Sequence, residues 1–268
     1  MVCDLVDTPF MKRRSFIQMS LATLGATSAI AADAAGQQAR ELYELRVYSL
    51  PAKKQDILDT YLSRAFLPAL KRYGIGPVGV FMEKGVEDKH KVYVLIVHSS
   101  AEQVTALPLR LHMDEEHRKA AKEYLDATPR DPVYTRIESV LLAAIEGMPR
   151  LAKPDTSKPR LLNLRIYESH NERAAQKKIE MFNKGELAIF RRVGLTPVFF
   201  AETLIGAAMP NLTYMLVFAD DAERQAAWAR FSKDQEWLKL RAIPEYADKE
   251  IVSHITNKIL TPAPYSEI

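Results

Sequence analysis

The segments "YELRVY" (residues 43–48) and "LNLRIY" (162–167) share an Arg-x-Tyr motif. Both alternate in polarity and are rich in aliphatic and aromatic side chains, which predicts a β-strand in each. Because the two segments lie 119 residues apart, we compared the rest of the chain at the same spacing to look for a duplication.

Four further blocks recur in the same order with nearly the same spacing. They are 74–81 with 194–201, 93–103 with 214–224, 112–119 with 232–239, and 136–142 with 254–260. Each copy has the pattern strand, helix, strand, strand, helix, strand, which is typical of the ferredoxin-like unit. The sequence therefore predicts a tandem duplication.

Two such units can cover each other by packing sheet to sheet. We expect an α+β fold in which two tandem ferredoxin-like (βαββαβ) repeats form an α+β barrel within one chain. The first repeat is assigned to residues 41–146 and the second to 161–260. The linker at 147–160 is rich in proline and lysine.

Two predicted helices of the first copy bear on the later results. Residues 53–73 have apolar residues at helical spacing, and Pro68 inside this pattern predicts a kink or break. Residues 110–126 predict a polar helix.

A candidate export signal occupies residues 11–36. A lysine and two arginines, Arg13 and Arg14, precede a modest apolar run. This order is typical of a secretory signal peptide, and the paired arginines resemble the twin-arginine signal that exports folded proteins in bacteria.

Ala-x-Ala patterns suggest cleavage after Ala31 or Ala34. We expect residues 1–31 to be the signal peptide and Met11 to be the start of translation. The mature protein is then periplasmic or secreted, with no stable membrane span, because the apolar run is shorter than the roughly 20 residues that cross a bilayer.

Composition excludes several classes of protein. The formal net charge is only +3 over 268 residues, with both signs mixed, which argues against a nucleic-acid partner. The single cysteine, Cys3, precedes the predicted mature chain. We therefore expect no disulfide, no thiol catalyst and no cysteine-based metal site.

The duplicated blocks resemble the NIPSNAP family. The resemblance covers nearly all of residues 41–260 and rests on "AFLPALKRYGIGPVGVF" (65–81), "FRRVGLTPVFFAE" (190–202) and "YMLVFADDAERQAAWARFSKDQEW" (214–237). The first copy departs from the last of these, with His117 where the second has Trp237. The resemblance implies the dimeric α+β-barrel fold and supplies no catalytic motif.

Arg46 and Tyr48 share one face of their strand, as Arg165 and Tyr167 do. We expect the apolar face to pack on the helices and this polar face to look toward the partner sheet or a groove beside it. At equivalent places about a pseudo-two-fold axis, the two guanidiniums could hold a carboxylate or phosphate, and the tyrosines could stack on a ligand or donate to it.

The alternative is that each arginine pairs with a local acid, such as Glu44 or Glu168, and fixes the barrel interface. Both interpretations remain open from the sequence.

His98 ends a predicted strand, and in a barrel it could act as an acid or base near a cavity mouth. The alternative is an ordinary surface or hydrogen-bonded histidine. His112 and Glu116 are four residues apart, which on one helix would bring them to one face as metal ligands. The second copy does not preserve this pair, so we expect a solvated helix face and no metal.

Trp228, Phe231 and Trp237 form an aromatic cluster, for which core or interface packing is the favoured reading and a ligand-stacking wall the alternative. The chain has no GxGxxG, P-loop or GxSxG motif, so we expect no cofactor.

Two functions remain open. The first is a non-catalytic module in the periplasm that binds a small anionic or amphipathic ligand or another protein, with possible self-association. The alternative is a cofactor-independent α+β-barrel enzyme, a monooxygenase or isomerase acting on a small hydrophobic substrate, which fold analogy alone supports.

Overall fold

The computed structural model describes residues 39–51, 53–85 and 91–268. The predicted signal peptide and its cleavage sites lie outside these residues. Ala39–Ile268 forms one compact unit.

Eight antiparallel strands close into a barrel in the order β1-β3-β2-β8-β5-β7-β6-β4. The strands are β1 (Leu42–Ser49), β2 (Val78–Glu83), β3 (Lys91–His98), β4 (Arg136–Ala144), β5 (Leu161–Glu168), β6 (Thr196–Ile205), β7 (Asn211–Phe218) and β8 (His254–Pro262). Strands β1–β4 pair in the order 4-1-3-2, and β5–β8 pair in the equivalent order 8-5-7-6. The β2–β8 and β4–β6 pairs join the two halves, so the fold is a mixed α/β structure around a closed barrel.

Helices follow the first and third strands of each half. They are α1 (Gln55–Tyr61), α2 (Leu67–Arg72), α3 (Ala101–Met113), α4 (Glu115–Ala120), α5 (Lys122–Leu125), α6 (Glu172–Met181), α7 (Leu187–Val193), α8 (Asp221–Lys233), α9 (Gln235–Arg241) and α10 (Asp248–Ile251). A π-helical turn joins α1 to α2 (Leu62–Phe66), and another joins α6 to α7 (Phe182–Glu186).

The barrel interior is filled by apolar side chains from all parts of the sheet. They include Tyr43, Leu45, Phe81, Leu95, Leu142, Leu164, Phe199, Met215 and Leu260. An eight-stranded barrel has an interior just wide enough for side chains to fill. The interior here is therefore an apolar core.

The expected orientation of the polar strand face is wrong. Leu45 and Leu164 point into the barrel, whereas Tyr48 and Tyr167 pack with the helices on the outside. Since residues two apart share a face, the neighbouring arginines also lie on the outside. The reason is closure. The apolar face fills the barrel interior, and the polar groups take the outer face, where Arg46 and Arg165 are only partly buried.

The expected helix over residues 110–126 begins earlier and is broken. Helix α3 starts at Ala101, and the chain leaves helical geometry at Asp114, whose carboxylate accepts the His117 backbone N–H and starts α4. His112 and Glu116 therefore belong to different helices, and the shared face proposed for them does not form. The second half breaks in the same way at Asp234.

In each half, one arginine donates to two acids beside this break. The groups are Arg72 with Asp114 and Glu116, and Arg192 with Asp234 and Glu236, at distances of 2.5–2.8 Å. The two sets lie 120 residues apart in sequence and make the same contacts.

The helix predicted over residues 53–73 is interrupted, as expected, by a π turn. Pro68 cannot explain this interruption in both halves of the protein. Pro68 lies in the first turn of α2, after the π turn. The second half has an equivalent π turn, Phe182–Glu186, that contains no proline.

Because the interior is filled, the loss of unfolding free energy caused by an alanine substitution should depend strongly on its position along β6. Phe199→Ala should lower the free energy of unfolding by about 3–5 kcal/mol, because it leaves a cavity in a closed core. Leu204→Ala, at a site 44% exposed on the same strand, should change it by less than about 0.5 kcal/mol. Urea denaturation measures both values, and equal losses would contradict a packed interior.

Candidate functional site

The structure does not bring Arg46 and Arg165 together. The Arg46 guanidinium lies 5.4 Å from the centre of the Phe66 ring, against the helices of the first half. Arg165 lies 4.6 Å from the Trp228 ring, against the helices of the second half. The expected site, in which both arginines would hold a single anion, is therefore not formed. The surroundings of each arginine are described separately below.

Arg46 forms an ion pair within its own strand. Its Nε donates to Glu44 Oε1 at 2.5 Å and its Nη2 to Glu44 Oε2 at 3.1 Å. Ser139, the register partner of Arg46 on β4, donates its hydroxyl to Glu44 at 2.9 Å. The local pairing that the sequence left open is thus the arrangement found in the first half.

His98 belongs to the same cluster. Its side chain is fully buried, and its Nε2 lies 3.5 Å from Glu44 Oε2. Burial alone would raise the pKa of Glu44, but contacts with His98, Arg46 and Ser139 prevail and lower it to about 2. A carboxylate held ionised in this way neutralises the charge of Arg46.

An aromatic groove of about 330 Å³ lies next to Tyr48. Tyr124 and Tyr134 line it; Tyr124 stacks on Tyr61 at 3.8 Å, and Tyr134 meets Tyr48 edge-on at 6.0 Å. Burial raises the pKa of Tyr48 above its ordinary value, and nearby Arg46 opposes the rise only in part. The phenol is therefore neutral at physiological pH.

Arg165 has different neighbours. Its Nε donates to the Tyr167 hydroxyl at 3.3 Å and its Nη1 to Asn257 Oδ1 at 3.2 Å. Within the residues that the structure describes, no carboxylate oxygen lies within 4.0 Å of this guanidinium. The proposed pairing with Glu168 is therefore absent, and Arg165 is half-buried among neutral partners.

The difference follows from two equivalent positions of the halves. Asn163 occupies the place that Glu44 has in the first half, and Asn257 occupies that of Ser139. Asn163 is fully buried and donates to Asn257 Oδ1 at 2.7 Å, which an amide can do and a carboxylate cannot. The second half has replaced the neutralising acid with a neutral amide.

A buried ion pair lies beside this arginine. Lys178 Nζ donates to Glu186 Oε2 at 3.0 Å, and the two side chains are only 2% and 3% exposed. Burial raises the pKa of Glu186, while the positive charges of Lys178 and Arg165 act in the opposite direction. The ammonium also lies 5.4 Å from the Tyr167 ring, which connects the pair to the arginine cluster.

The π turns position the residues that differ between the halves. Phe66 ends the first π turn and Glu186 ends the second, at equivalent places. Leu58 in the first half corresponds in the same way to Lys178. π-helical turns are often found at functional sites. Here the second turn presents a carboxylate where the first presents a phenyl ring.

The aromatic cluster of the second half is mainly core, as favoured from the sequence. Phe231 and Trp237 are buried, and Trp228 packs against them while it stacks on Arg165. Its indole Nε1 is buried and makes no hydrogen bond within the described part of the chain.

No group of three or more potential metal ligands occurs among the described residues. In the same residues, no helix is long and apolar enough to cross a bilayer.

Sequence reasoning named Arg165 and Tyr167 but missed Lys178, Glu186 and Asn257. One signal could have found Lys178 and Glu186. Alignment of the two halves sets both against apolar residues, and a charged residue at a core position predicts a buried pair.

Solved structures confirm the fold. A candidate monooxygenase from Lactobacillus acidophilus matches with a TM-score of 0.56 at 11% identity, over 83% of this chain and 94% of its own. A second, from Fusobacterium nucleatum, matches with a TM-score of 0.56 at 8% identity, over 84% and 93%. The protein thus has the architecture of the α+β barrels.

Residues 162–267 match the model of the NIPSNAP family. A NIPSNAP-like domain protein from Burkholderia xenovorans is 21% identical over 40% of this chain and 88% of its own, with a TM-score of 0.36. Among curated proteins, none matches the sequence significantly.

The Glu44 cluster predicts a defined pH dependence. Glu44 has a pKa of about 2 in the folded protein, below its ordinary 4.5, so its stabilisation is complete above about pH 4.5 and is lost as the pH falls toward 2. Relative to Glu44→Gln, the wild-type protein should lose up to about 3 kcal/mol of unfolding free energy across this window. Urea denaturation at several pH values measures the difference, and parallel curves for the two proteins would contradict the assignment. Ser139→Ala keeps the Glu44–Arg46 ion pair, so this variant should retain most of the pH-dependent loss of unfolding free energy.

The Lys178–Glu186 pair predicts a non-additive result. Glu186→Gln should cost about 3–5 kcal/mol, because it leaves a buried ammonium without its counter-charge. Lys178→Met with Glu186→Leu should recover most of that loss, since the first half has apolar residues at both places. Urea denaturation of the single and double variants tests this, and a double variant no more stable than the single one would disprove it.

Proposed function

We propose that this protein is an exported, non-catalytic module that binds a small anionic or amphipathic ligand. Its two halves are tandem ferredoxin-like repeats of one NIPSNAP-like unit, a proposal supported by the equivalent strand orders and the equivalent Arg-Asp-Glu contacts. The observation that carries the binding role is the half-buried Arg165 guanidinium, whose hydrogen-bond partners among the described residues are all neutral.

The site is accessible from the outer face of the barrel. Ile255 and Asn257 on β8 are exposed, and their register partners on β5 are Tyr167 and Arg165. A ligand on this face would meet the guanidinium without entering the barrel.

The enzyme alternative is less favoured. Such an enzyme would need an enclosed apolar pocket with a histidine or arginine inside, but the barrel interior is filled by apolar side chains. Arg46 and His98 lie outside the barrel and are engaged with Glu44. The likeness to candidate monooxygenases is a likeness of fold, at 11% and 8% identity.

Native mass spectrometry of protein purified from the periplasm of the expressing bacterium, without refolding, tests the proposal. We expect a processed N-terminus at residue 32 or 35, a reproducible bound mass, and a direct reading of any self-association. The matched control is the Arg13→Lys, Arg14→Lys double variant, which should remain in the cytoplasm with its N-terminus intact.

Two results would contradict the proposal. Wild-type protein that stays cytoplasmic and begins at Met1 would disprove export. A clean unliganded mass, with no ligand that raises the melting temperature in a thermal-shift screen, would disprove the binding role.

A further inference from the structure

We infer that the second half alone carries an anion site, formed by Arg165 and Trp228, and that its ligand is a monocarboxylate with an apolar body. This inference rests on the proposed binding role and specifies where the ligand binds and what it is.

The first step is the charge balance of the two halves. In the first half, Arg46 is matched by the ionised Glu44. In the second half, Glu186 is paired with Lys178, so the positive charge of Arg165 is not balanced by this carboxylate. A half-buried cation with neutral partners is stabilised by an anion that enters its hydrogen-bonding shell.

The second step is the set of donors. The Nε and Nη1 groups of Arg165 are engaged, which leaves the Nη2 side of the fork without a partner in the described residues. The guanidinium stacks 4.6 Å from the Trp228 ring, and the indole Nε1 of that ring is buried without an acceptor. The guanidinium and the indole thus belong to one cluster, and a carboxylate has two oxygens with which it can accept from two such donors.

The third step is the apolar part of the ligand. Ile255 is 44% exposed on the outer face of β8, two residues before Asn257 and opposite Tyr167 in the strand register. Ile259 flanks Asn257 on the other side of the same face. A carboxylate bound at Arg165 would lay an attached apolar group along this strand, whereas a phosphate would leave the isoleucine uncovered.

The repeat also explains why the first half is excluded. Arg165 can accept an anion as its counter-charge because Asn163 stands where the first half has Glu44. In the first half, an incoming carboxylate would meet the Glu44 carboxylate at the same arginine and be repelled.

The probe is 4-fluorobenzoate, titrated into the wild-type protein and followed by ¹⁹F NMR. We expect saturable binding, weakened roughly tenfold or more by Arg165→Gln and also weakened by Trp228→Phe, which keeps the ring but removes the N–H. The Glu44→Gln, Arg46→Gln double variant removes the first ion pair at constant net charge and should bind as the wild type does. Circular dichroism melting curves check that each variant is folded.

Two further ligands identify the chemistry. The neutral isostere 4-fluorobenzamide should bind much more weakly than the benzoate, and inorganic phosphate should displace the benzoate poorly. Benzamide binding as tight as benzoate binding, or displacement by phosphate at lower concentration, would overturn the assigned ligand class. Unchanged affinity in both Arg165→Gln and Trp228→Phe would overturn the site.

Failure of this inference is distinct from failure of the proposed function. Should the wild type bind no 4-fluorobenzoate, the carboxylate assignment is wrong. The native mass spectrum then decides whether the protein carries some other ligand.

Discussion

Closure of the eight-stranded barrel is the constraint on which the rest of the structure depends. The β2–β8 and β4–β6 pairs leave no free edge between the halves, so every strand must place one face in a narrow, dry interior. Only apolar side chains are stable there. The Arg-x-Tyr motifs of β1 and β5 are therefore directed outward, between the sheet and its covering helices.

An arginine in that layer is partly desolvated and needs acceptors. The first half supplies a carboxylate two residues earlier on the same strand, and the result is a self-contained cluster in which Glu44 pairs with Arg46 beside His98. In the second half, the arginine donates to amide and phenol oxygens. The nearby carboxylate, Glu186, lies on the π turn and is already paired with Lys178. The same fold therefore gives one closed cluster and one that can accept an anion.

Much of the fold could be predicted from the sequence. The Arg-x-Tyr strands and the "GIGPV" and "GLTPV" turns recur at one spacing, and hydrophobic alternation correctly predicts a β-strand at residues 43–48 and another at 162–167. The orientation of the strand faces was predicted wrongly, because alternation separates two faces without showing which lies inside a closed barrel. The break at Asp114 was also missed, since a capping aspartate within a polar helical pattern resembles an exposed helix residue.

The candidate site was only half predictable. Arg165 and Tyr167 stood out by repetition, yet their role depends on residues far away in sequence, such as Asn257 and Glu186. Whether an arginine is neutralised is a property of three-dimensional neighbours. Alignment of the two halves shows Asn163 in place of Glu44. Only the three-dimensional contacts show the effect: Glu44 pairs with Arg46, whereas no carboxylate oxygen among the described residues lies within 4.0 Å of the Arg165 guanidinium.

Anomalous diffraction from a crystal soaked in bromide tests the asymmetry of the two halves most directly. Bromide is a monovalent anion whose position does not depend on any assumed ligand. A bromide peak at the Arg165 guanidinium beside Trp228, with none at Arg46, is the predicted result. Bromide at Arg46, or at both arginines equally, would contradict the conclusion that Glu44 closes one site and that its replacement by Asn163 opens the other.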